Sequence, residues 1–483
     1  MLLRQFQIEG LGHLSTLIAD EQAGVAAVVD PRRDVDVYVD AARERDLRIS
    51  HVVETHLHND YVSGARELAA LTGAEQVIGA GAELGYERLA RDVGHGDAFS
   101  VGALRFSTLE TPGHTPEHVA YAVADTARAN ETVLLFTGGS LLVGAVGRTD
   151  LLGADNARPY AEAMFRSLHE VILPNEDFVG VYPTHGAGSL CSSGIATTPS
   201  STIGYERRYN PMVQPSDVDA FAERLLSGQP SFPRYFARMR PINQAGPPPI
   251  GSVPAPRPLA LEEMQAAIAG GALVVDARSP LEHAEAHIPG SYSVPAGSSF
   301  GTWLGWVVEP DRPIVLVLTS ADDWDDLVRQ ALRIGQDAIA GYLQGGFRHW
   351  LEAGGTSESN GRLTVEQVAR AAGGSAPPLL IDVRQTSEYA AGHVPGAVHI
   401  GAGELPDRLA ELPRDRPVAT ICASGYRSSV AASLLRQAGF TDVSWVAGGV
   451  PTWEAAGLPV DIGIDSDTDP MAVSMAAKGD HAH

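Results

Sequence analysis

The sequence predicts a multidomain α/β protein, and three observations predict it. An apolar run that reads as a buried strand, Ile49-Ser50-His51-Val52-Val53, feeds into Thr55-His56-Leu57-His58-Asn59-Asp60. A proline- and glycine-rich stretch, residues 246–256, interrupts the chain near its middle and reads as a stiff, extended linker. Beyond it one signature occurs twice, Val274-Val275-Asp276-Ala277-Arg278 and Leu380-Ile381-Asp382-Val383-Arg384, with Asp276 and Asp382 standing 106 residues apart. That period is domain-sized, too long for a solenoid unit, so it marks a duplicated α/β domain.

Residues 1–245 alternate short strand-like runs with Gly/Pro turns. Histidines two apart at a strand end point the same way. His56 and His58, with the carboxylate of Asp60, therefore gather over one spot, which is metal-ligand chemistry. His114 follows in Thr111-Pro112-Gly113-His114-Thr115, and His185 in Tyr182-Pro183-Thr184-His185-Gly186. Any one of them alone reads as a surface histidine. Together, in these turn settings and in this order, they read as a metal site. Leu134-Leu135-Phe136 and Phe178 to Tyr182 read as strands ending at site loops. Residues 216–227 read as a helix, capped by Ser216-Asp217, with Phe221, Leu225 and Leu226 on one face and Gly228 and Pro230 ending it. Cys191 reads as a small buried apolar residue; the rival reading places it near a thiol pocket. His51, His95, His118 and His169 read as structural or surface residues.

This region resembles the metallo-β-lactamase superfamily, with its T-H-x-H-x-D-H motif and two later histidines. The resemblance implies an αββα sandwich with its metal at one edge of the two sheets. Two positions depart from the pattern. Tyr61 stands where the motif has its last histidine. Thr137-Gly138-Gly139-Ser140 replaces a T-G-D motif, so Gly139 stands where relatives place a metal-binding aspartate. Restoring that carboxylate by Gly139→Asp is expected to raise metal occupancy.

In the repeats, a histidine follows each aspartate: His287-Ile288-Pro289-Gly290 and His393-Val394-Pro395-Gly396. Each copy closes with Gly-Gly-x-x-x-Trp, at Gly345, Gly346 and Trp350 and at Gly448, Gly449 and Trp453. In the second copy the strand-like Pro417 to Ile421 runs into Cys422-Ala423-Ser424-Gly425-Tyr426-Arg427, and a helix is expected from Ser428 to about Ala438. A cysteine between a strand end and a helix N-terminus faces unpaired backbone N–H groups and the positive end of the helix dipole. Arg427 adds positive charge, and Gly425 lets the loop curl. All of this stabilises an anion on or near sulfur. The loop is similar to the C-x-x-G-x-R loop of the rhodanese family. The resemblance implies that Cys422 accepts a sulfane sulfur as a persulfide, while Arg427 and the amides of Ala423, Ser424, Gly425 and Tyr426 hold the anion. In the first copy the matching strand, Ile314 to Leu318, runs into Thr319-Ser320-Ala321-Asp322-Asp323-Trp324-Asp325-Asp326, with no cysteine or arginine. Residues 257–355 are therefore expected to be an inactive rhodanese-like domain and 356–463 an active one. Residues 464–483 read as a disordered acidic tail.

The whole pattern resembles the persulfide dioxygenase–rhodanese fusions of bacterial sulfide metabolism. That resemblance implies oxidation of a glutathione-like thiol persulfide to sulfite at a mononuclear iron, with thiosulfate as a sulfur donor at Cys422 and a homodimeric state. It assigns His56 and His114 as iron ligands. His58, Asp60 or His185 are further candidates for the shell or for orienting it, and zinc is the alternative metal. With its aspartate replaced by Gly139, such a site should bind iron weakly. Two other readings stand beside it: a metal-poor N-terminal pseudoenzyme serving as scaffold for an active sulfurtransferase, and a glyoxalase II-type thioester hydrolase, which wants two metals.

Composition narrows the partners. A formal net charge of −24 argues against nucleic acid and anionic membranes. At 44% hydrophobic and 19% charged residues, the chain has an ordinary globular composition. Two cysteines are too few for a secreted disulfide scaffold. The first residues lack a signal-peptide core, and no window approaches about 18 apolar residues. A cytoplasmic location is the expectation.

Overall fold

The structure is a computed structural model that describes residues 1–87, 90–227, 229–374 and 377–463. Gly228 and the tail 464–483 lie outside these residues. The chain divides into two compact units, 1–253 with 329–335 and 254–328 with 336 onward.

The first unit holds two six-stranded sheets. One runs in spatial order Leu2–Ile8, His13–Asp20, Val25–Val29, Arg48–Val53, Glu75–Gly79, Ala90–Val93. The other runs Ser201–Thr202, Gly180–Pro183, Leu134–Gly138, Val119–Asp125, Leu104–Glu110, Ala98–Val101. Arg48–Val53 pairs in parallel with strands on both sides. Both of its faces are covered, which is why it reads as an apolar run rather than an alternating one. Between the sheets, Val29, Val53 and Val77 of the first pack with Phe106, Tyr121 and Phe136 of the second. Helices Asp36–Arg43 and Ala65–Thr72 bury Tyr38, Ala41 and Leu68 on the outer face of the first sheet. Helices Ala154–Arg166 and Val218–Leu226 bury Ala161, Met164 and Phe221 on the outer face of the second. This is the αββα sandwich. Of the expected cap pair, Asp217 does the capping, its side chain accepting from Ala220 N. Phe221 and Leu225 are buried, and Ala222 takes the third core place expected for Leu226, which is half-buried.

Residues 246–257 form neither helix nor strand. The segment is extended but strapped down. Arg66 donates to the carbonyls of Gly246 and Pro247 at 2.8 and 3.0 Å, and the Glu67 carboxylate accepts from Ile250 N and Gly251 N.

The second unit contains two five-stranded parallel sheets with the same strand order. One is Pro258–Leu259, Ile339–Leu343, Ile314–Val317, Leu273–Asp276, Tyr292–Ser293; the other is Gly361–Leu363, Val443–Val446, Val418–Ile421, Leu379–Asp382, Val398–His399. The repeat anchors have structural jobs. Arg278 pairs with Asp276 and donates to Ala286 O; Arg384 pairs with Asp382 and donates to Gly392 O. Each pair ties a strand end to the loop before the repeated histidine. Trp350 and Trp453 donate their indole N–H to Thr356 O and Pro459 O, closing each domain. No helix among the described residues is long and apolar enough to cross a membrane.

Candidate metal centre and cysteine loop

Where the strands of the first unit end, a buried cluster of imidazoles and carboxylates gathers. Asp30 follows Val25–Val29 in a left-handed conformation, φ 51°. Its carboxylate accepts from the backbone N–H of Thr55 at 2.8 Å, from the Thr55 hydroxyl at 2.9 Å and from the Thr184 hydroxyl. One carboxylate thus holds the loops that carry His56 and His185. Burial alone would push Asp30 up, but His58, Thr184 and Thr55 hold it below the usual carboxylate range.

These contacts fix which nitrogen each ring presents. The Thr55 hydroxyl donates to Asp30, so at 2.9 Å it accepts from His56 Nδ1–H, leaving the His56 Nε2 lone pair inward. His114 Nδ1 lies 2.8 Å from the carbonyl of Arg148 and must donate, so its Nε2 is also a lone pair. His56 Nε2, His114 Nε2 and both nitrogens of His185 are buried without a protein hydrogen-bond partner. Donor atoms of these three rings lie within 4.8 Å of one another. Burial, then neighbouring histidines, drives His56 well below its ordinary value, and burial takes His114 down to about 3. Both rings are therefore neutral, the state a cation needs. His185 is the exception: burial lowers it, but Cys191 and Asp60 raise it by more.

His58 stands apart from this trio. Its Nε2 is 3.4 Å from Asp30 Oδ1 and 4.0 Å from Glu54 Oε1, and its ring stacks on Tyr61 at 4.4 Å. Tyr61 is fully buried between His58 and His13, so it fills its place with an aromatic ring that offers no lone-pair nitrogen. His118, which the sequence leaves as structural, is committed at both nitrogens: Nε2 accepts from Gly139 N at 2.9 Å, and Nδ1 bonds the Thr111 hydroxyl. Gly139 is packed under His114, and a β-carbon there would fall 2.2 Å from His114 Cδ2. Asp60 Oδ2 approaches His185 Nδ1 to 3.2 Å. Sequence reasoning missed Asp30 and His13, which sit on neither motif. It also undervalued Cys191, which joins Asp60 and His185 in a second group of potential donors.

In the second unit, Cys422 lies between the strand Val418–Ile421 and the helix Tyr426–Gln437. The helix starts two residues earlier than expected. The thiol is fully buried, and Gly425 N–H points at Sγ from 3.1 Å, with Ser428 Oγ at 3.6 Å. Gly425 has φ 104°, and a β-carbon there would meet Trp445 at 2.8 Å, so position 425 requires glycine on both counts. Gly449 of the repeated glycine pair backs the loop, since its β-carbon would fall 2.2 Å from Cys422 O. Arg427 spends both terminal nitrogens on Glu388, at 2.5 and 2.8 Å. Its charge reaches the loop already partly neutralised. Tyr426 donates to Pro295 O of the first repeat. In that first repeat the loop closes on itself: Ser320 Oγ accepts from Asp322 N, and Asp323 accepts from Ser320 N.

The metallo-β-lactamase superfamily model matches residues 8–185, and the rhodanese-like domain model matches 260–353 and 364–456. A crystal structure of a metallo-β-lactamase from Staphylococcus aureus is 32% identical and superposes with a TM-score of 0.65, covering 71% of this chain and 98% of that one. A hydroxyacylglutathione hydrolase of Methylococcus capsulatus is 30% identical over 46% of this chain and 91% of its own length. A mitochondrial persulfide dioxygenase of Mus musculus is 29% identical over 44% of this chain and 75% of its own. The chain therefore belongs to the metallo-β-lactamase superfamily, as a fusion in which a domain with persulfide dioxygenase homologues precedes two rhodanese-like domains.

Proposed function

We propose that this chain is a two-centre sulfur enzyme. The N-terminal centre oxidises a low-molecular-weight thiol persulfide, of the glutathione class, with O₂ and water to the free thiol and sulfite. The sulfane sulfur loses four electrons and O₂ takes up the same four. The second centre moves sulfane sulfur through Cys422, from donors such as thiosulfate.

The observation that carries the first half is the set of neutral, buried, inward-facing nitrogens on His56, His114 and His185. Unpartnered polar atoms in so enclosed a place are costly unless a cation satisfies them. These three residues would hold a single transition-metal ion, iron in this reading. Such an ion would supply O₂ activation and open positions for the persulfide sulfur. The chain's own part is to fix the rings. Thr55 and the Arg148 carbonyl lock two tautomers, and the Asp30 carboxylate holds the threonines on both loops. In the second centre, the Gly425 amide stabilises negative charge on Cys422 sulfur before and after it accepts the sulfane atom.

The hydroxyacylglutathione hydrolase relatives give a second reading, thioester hydrolysis. Tyr61 speaks against it, because an aromatic ring fills a place where a second cation would need a donor. Metal analysis of the purified protein, with O₂ uptake and sulfite formation on glutathione persulfide, tests the proposal. Iron with persulfide-dependent O₂ uptake is the expected result. Hydrolysis of a hydroxyacylglutathione without O₂ uptake would establish the second reading. Metal-free protein with sulfur transfer alone would make the N-terminal domain a scaffold.

A further inference from the structure

Asp60, His185 and Cys191 present a carboxylate oxygen, an imidazole nitrogen and a thiol sulfur within 4.8 Å of one another, and all three residues are buried, at most 2% exposed. The trio would pass for a nucleophile, base and carboxylate in sequence. Its geometry speaks otherwise. Such a relay needs the carboxylate hydrogen-bonded to the ring. Here His185 Nδ1 and Asp60 Oδ2 approach to 3.2 Å, yet no hydrogen bond forms, and Asp60 Oδ1 and Oδ2 and His185 Nδ1 and Nε2 all lack a protein partner. Four unsatisfied polar atoms around a buried sulfur describe a ligand shell better than a relay.

We infer that Asp60, His185 and Cys191 form a thiolate-bearing site for a thiophilic divalent cation of the zinc and cobalt class, with Cys191 as a direct ligand. On binding, the Cys191 thiol gives its proton to solvent and the sulfur bonds the ion. The set carries two negative charges once the thiol ionises, enough to neutralise the cation. The all-imidazole set carries none, because position 139 is glycine. His185 belongs to both sets, so the two compete for one ring, and the metal supplied decides which forms. Carboxylate and imidazole with a soft thiolate favour zinc-like ions, and imidazoles alone accept iron. The inference rests on the proposed metal centre only through His185.

Full-length Cys422→Ser protein has Cys191 as its one remaining thiol. Titrating it with Co²⁺ should produce near-ultraviolet thiolate-to-cobalt charge-transfer absorption together with the visible bands of bound cobalt. X-ray absorption of the zinc-loaded protein should show one sulfur at about 2.3 Å. Cys191→Ala in the same background should abolish the charge-transfer band. Cobalt bound with visible bands only, or zinc with nitrogen and oxygen neighbours alone, would overturn the thiolate site while leaving the imidazole centre standing. Absence of any bound cobalt would overturn both. The parent measurement decides the question by itself, so the outcome does not depend on whether the Cys191 variant folds.

Discussion

The ring of His114 occupies the space that a side chain at position 139 would need: a β-carbon built on Gly139 falls 2.2 Å from His114 Cδ2 and 2.8 Å from its Nε2. Gly139 is not in the left-handed region, unlike Gly138 with φ 55°. The obstacle to a side chain is therefore packing, not backbone strain. His114 is also anchored through Nδ1 to the Arg148 carbonyl and walled by Gly147.

This reverses the expectation for Gly139→Asp that the motif alone suggests. The new side chain must displace an anchored ring, a form of overpacking that costs about 1–3 kcal/mol. Gly139→Asp should lower the melting temperature and bind less metal per chain than the parent, and Gly139→Ala should do the same without adding charge. Calorimetry with elemental analysis reads both. Higher iron content in Gly139→Asp than in the parent would show that His114 yields and that the carboxylate was the missing ligand.

His185 and His58 should part company on substitution. His185→Ala removes one of three donors, so metal affinity should fall by roughly 100-fold or more, beyond the 10–100-fold typical of outer partners. His58→Ala removes a ring that faces Asp30 and Glu54 rather than the other donors. Its effect on affinity should stay within that outer range. Competition titration against a chelator measures both, and equal losses would place His58 among the ligands.

Much of this was legible in the sequence, for identifiable reasons. Period and context gave the strand before His56, the duplicated domain and the cysteine loop, because strand, turn and helix signals there agree with one another. His56, His114 and His185 could be gathered because each sits at a turn after a strand. Asp30 could not be found this way, since an aspartate after an apolar run reads as an ordinary turn and its partners Thr55 and Thr184 come from distant segments. The pairing of Arg427 with Glu388 was hidden for the same reason. So was the steric meaning of Gly139, which depends on where an aromatic ring from another loop comes to rest.

Acid should unfold the first unit of the metal-free protein through its buried neutral histidines. His13 is fully buried and donates Nε2–H to Asp30 O; burial and His58 lower it from 6.5 to about 3. Between those values the unfolded chain binds the proton and the folded chain does not, so stability falls as pH drops through that window. Each such histidine contributes a slope of up to ~1.4 kcal/mol per pH unit. His56, His114 and His118 act in the same direction. All six tryptophans lie at position 303 or beyond, so circular dichroism rather than indole fluorescence should follow this unit. Urea midpoints at several pH values between 7.5 and 5 should decline, and the decline should be shallower in His13→Gln. An unchanged slope in that variant would remove His13 from the account.

The cysteine loop yields the last prediction. Cys422→Ser in the full chain should abolish thiosulfate-to-thiol sulfur transfer, because a hydroxyl neither ionises near neutral pH nor forms a persulfide. No residual activity should come from the first repeat, whose loop is closed by the Ser320 and Asp323 cap. Arg427→Ala should slow transfer by only about 10-fold, less than the 10²–10³ of a dedicated oxyanion donor, because Glu388 already holds the guanidinium. Glu388 thereby becomes the informative position. Glu388→Gln removes the countercharge while keeping a side-chain carbonyl for the Gln385 N–H that now caps the short helix Thr386–Ala391. It should leave the transfer step intact and lower the KM for the thiosulfate dianion, as Arg427 then acts with its full charge. The effect should shrink with added salt. A rise in KM in Glu388→Gln would mean that the ion pair positions Arg427 for the anion rather than restraining it, and Arg427→Ala should then prove as damaging as loss of a direct anion ligand.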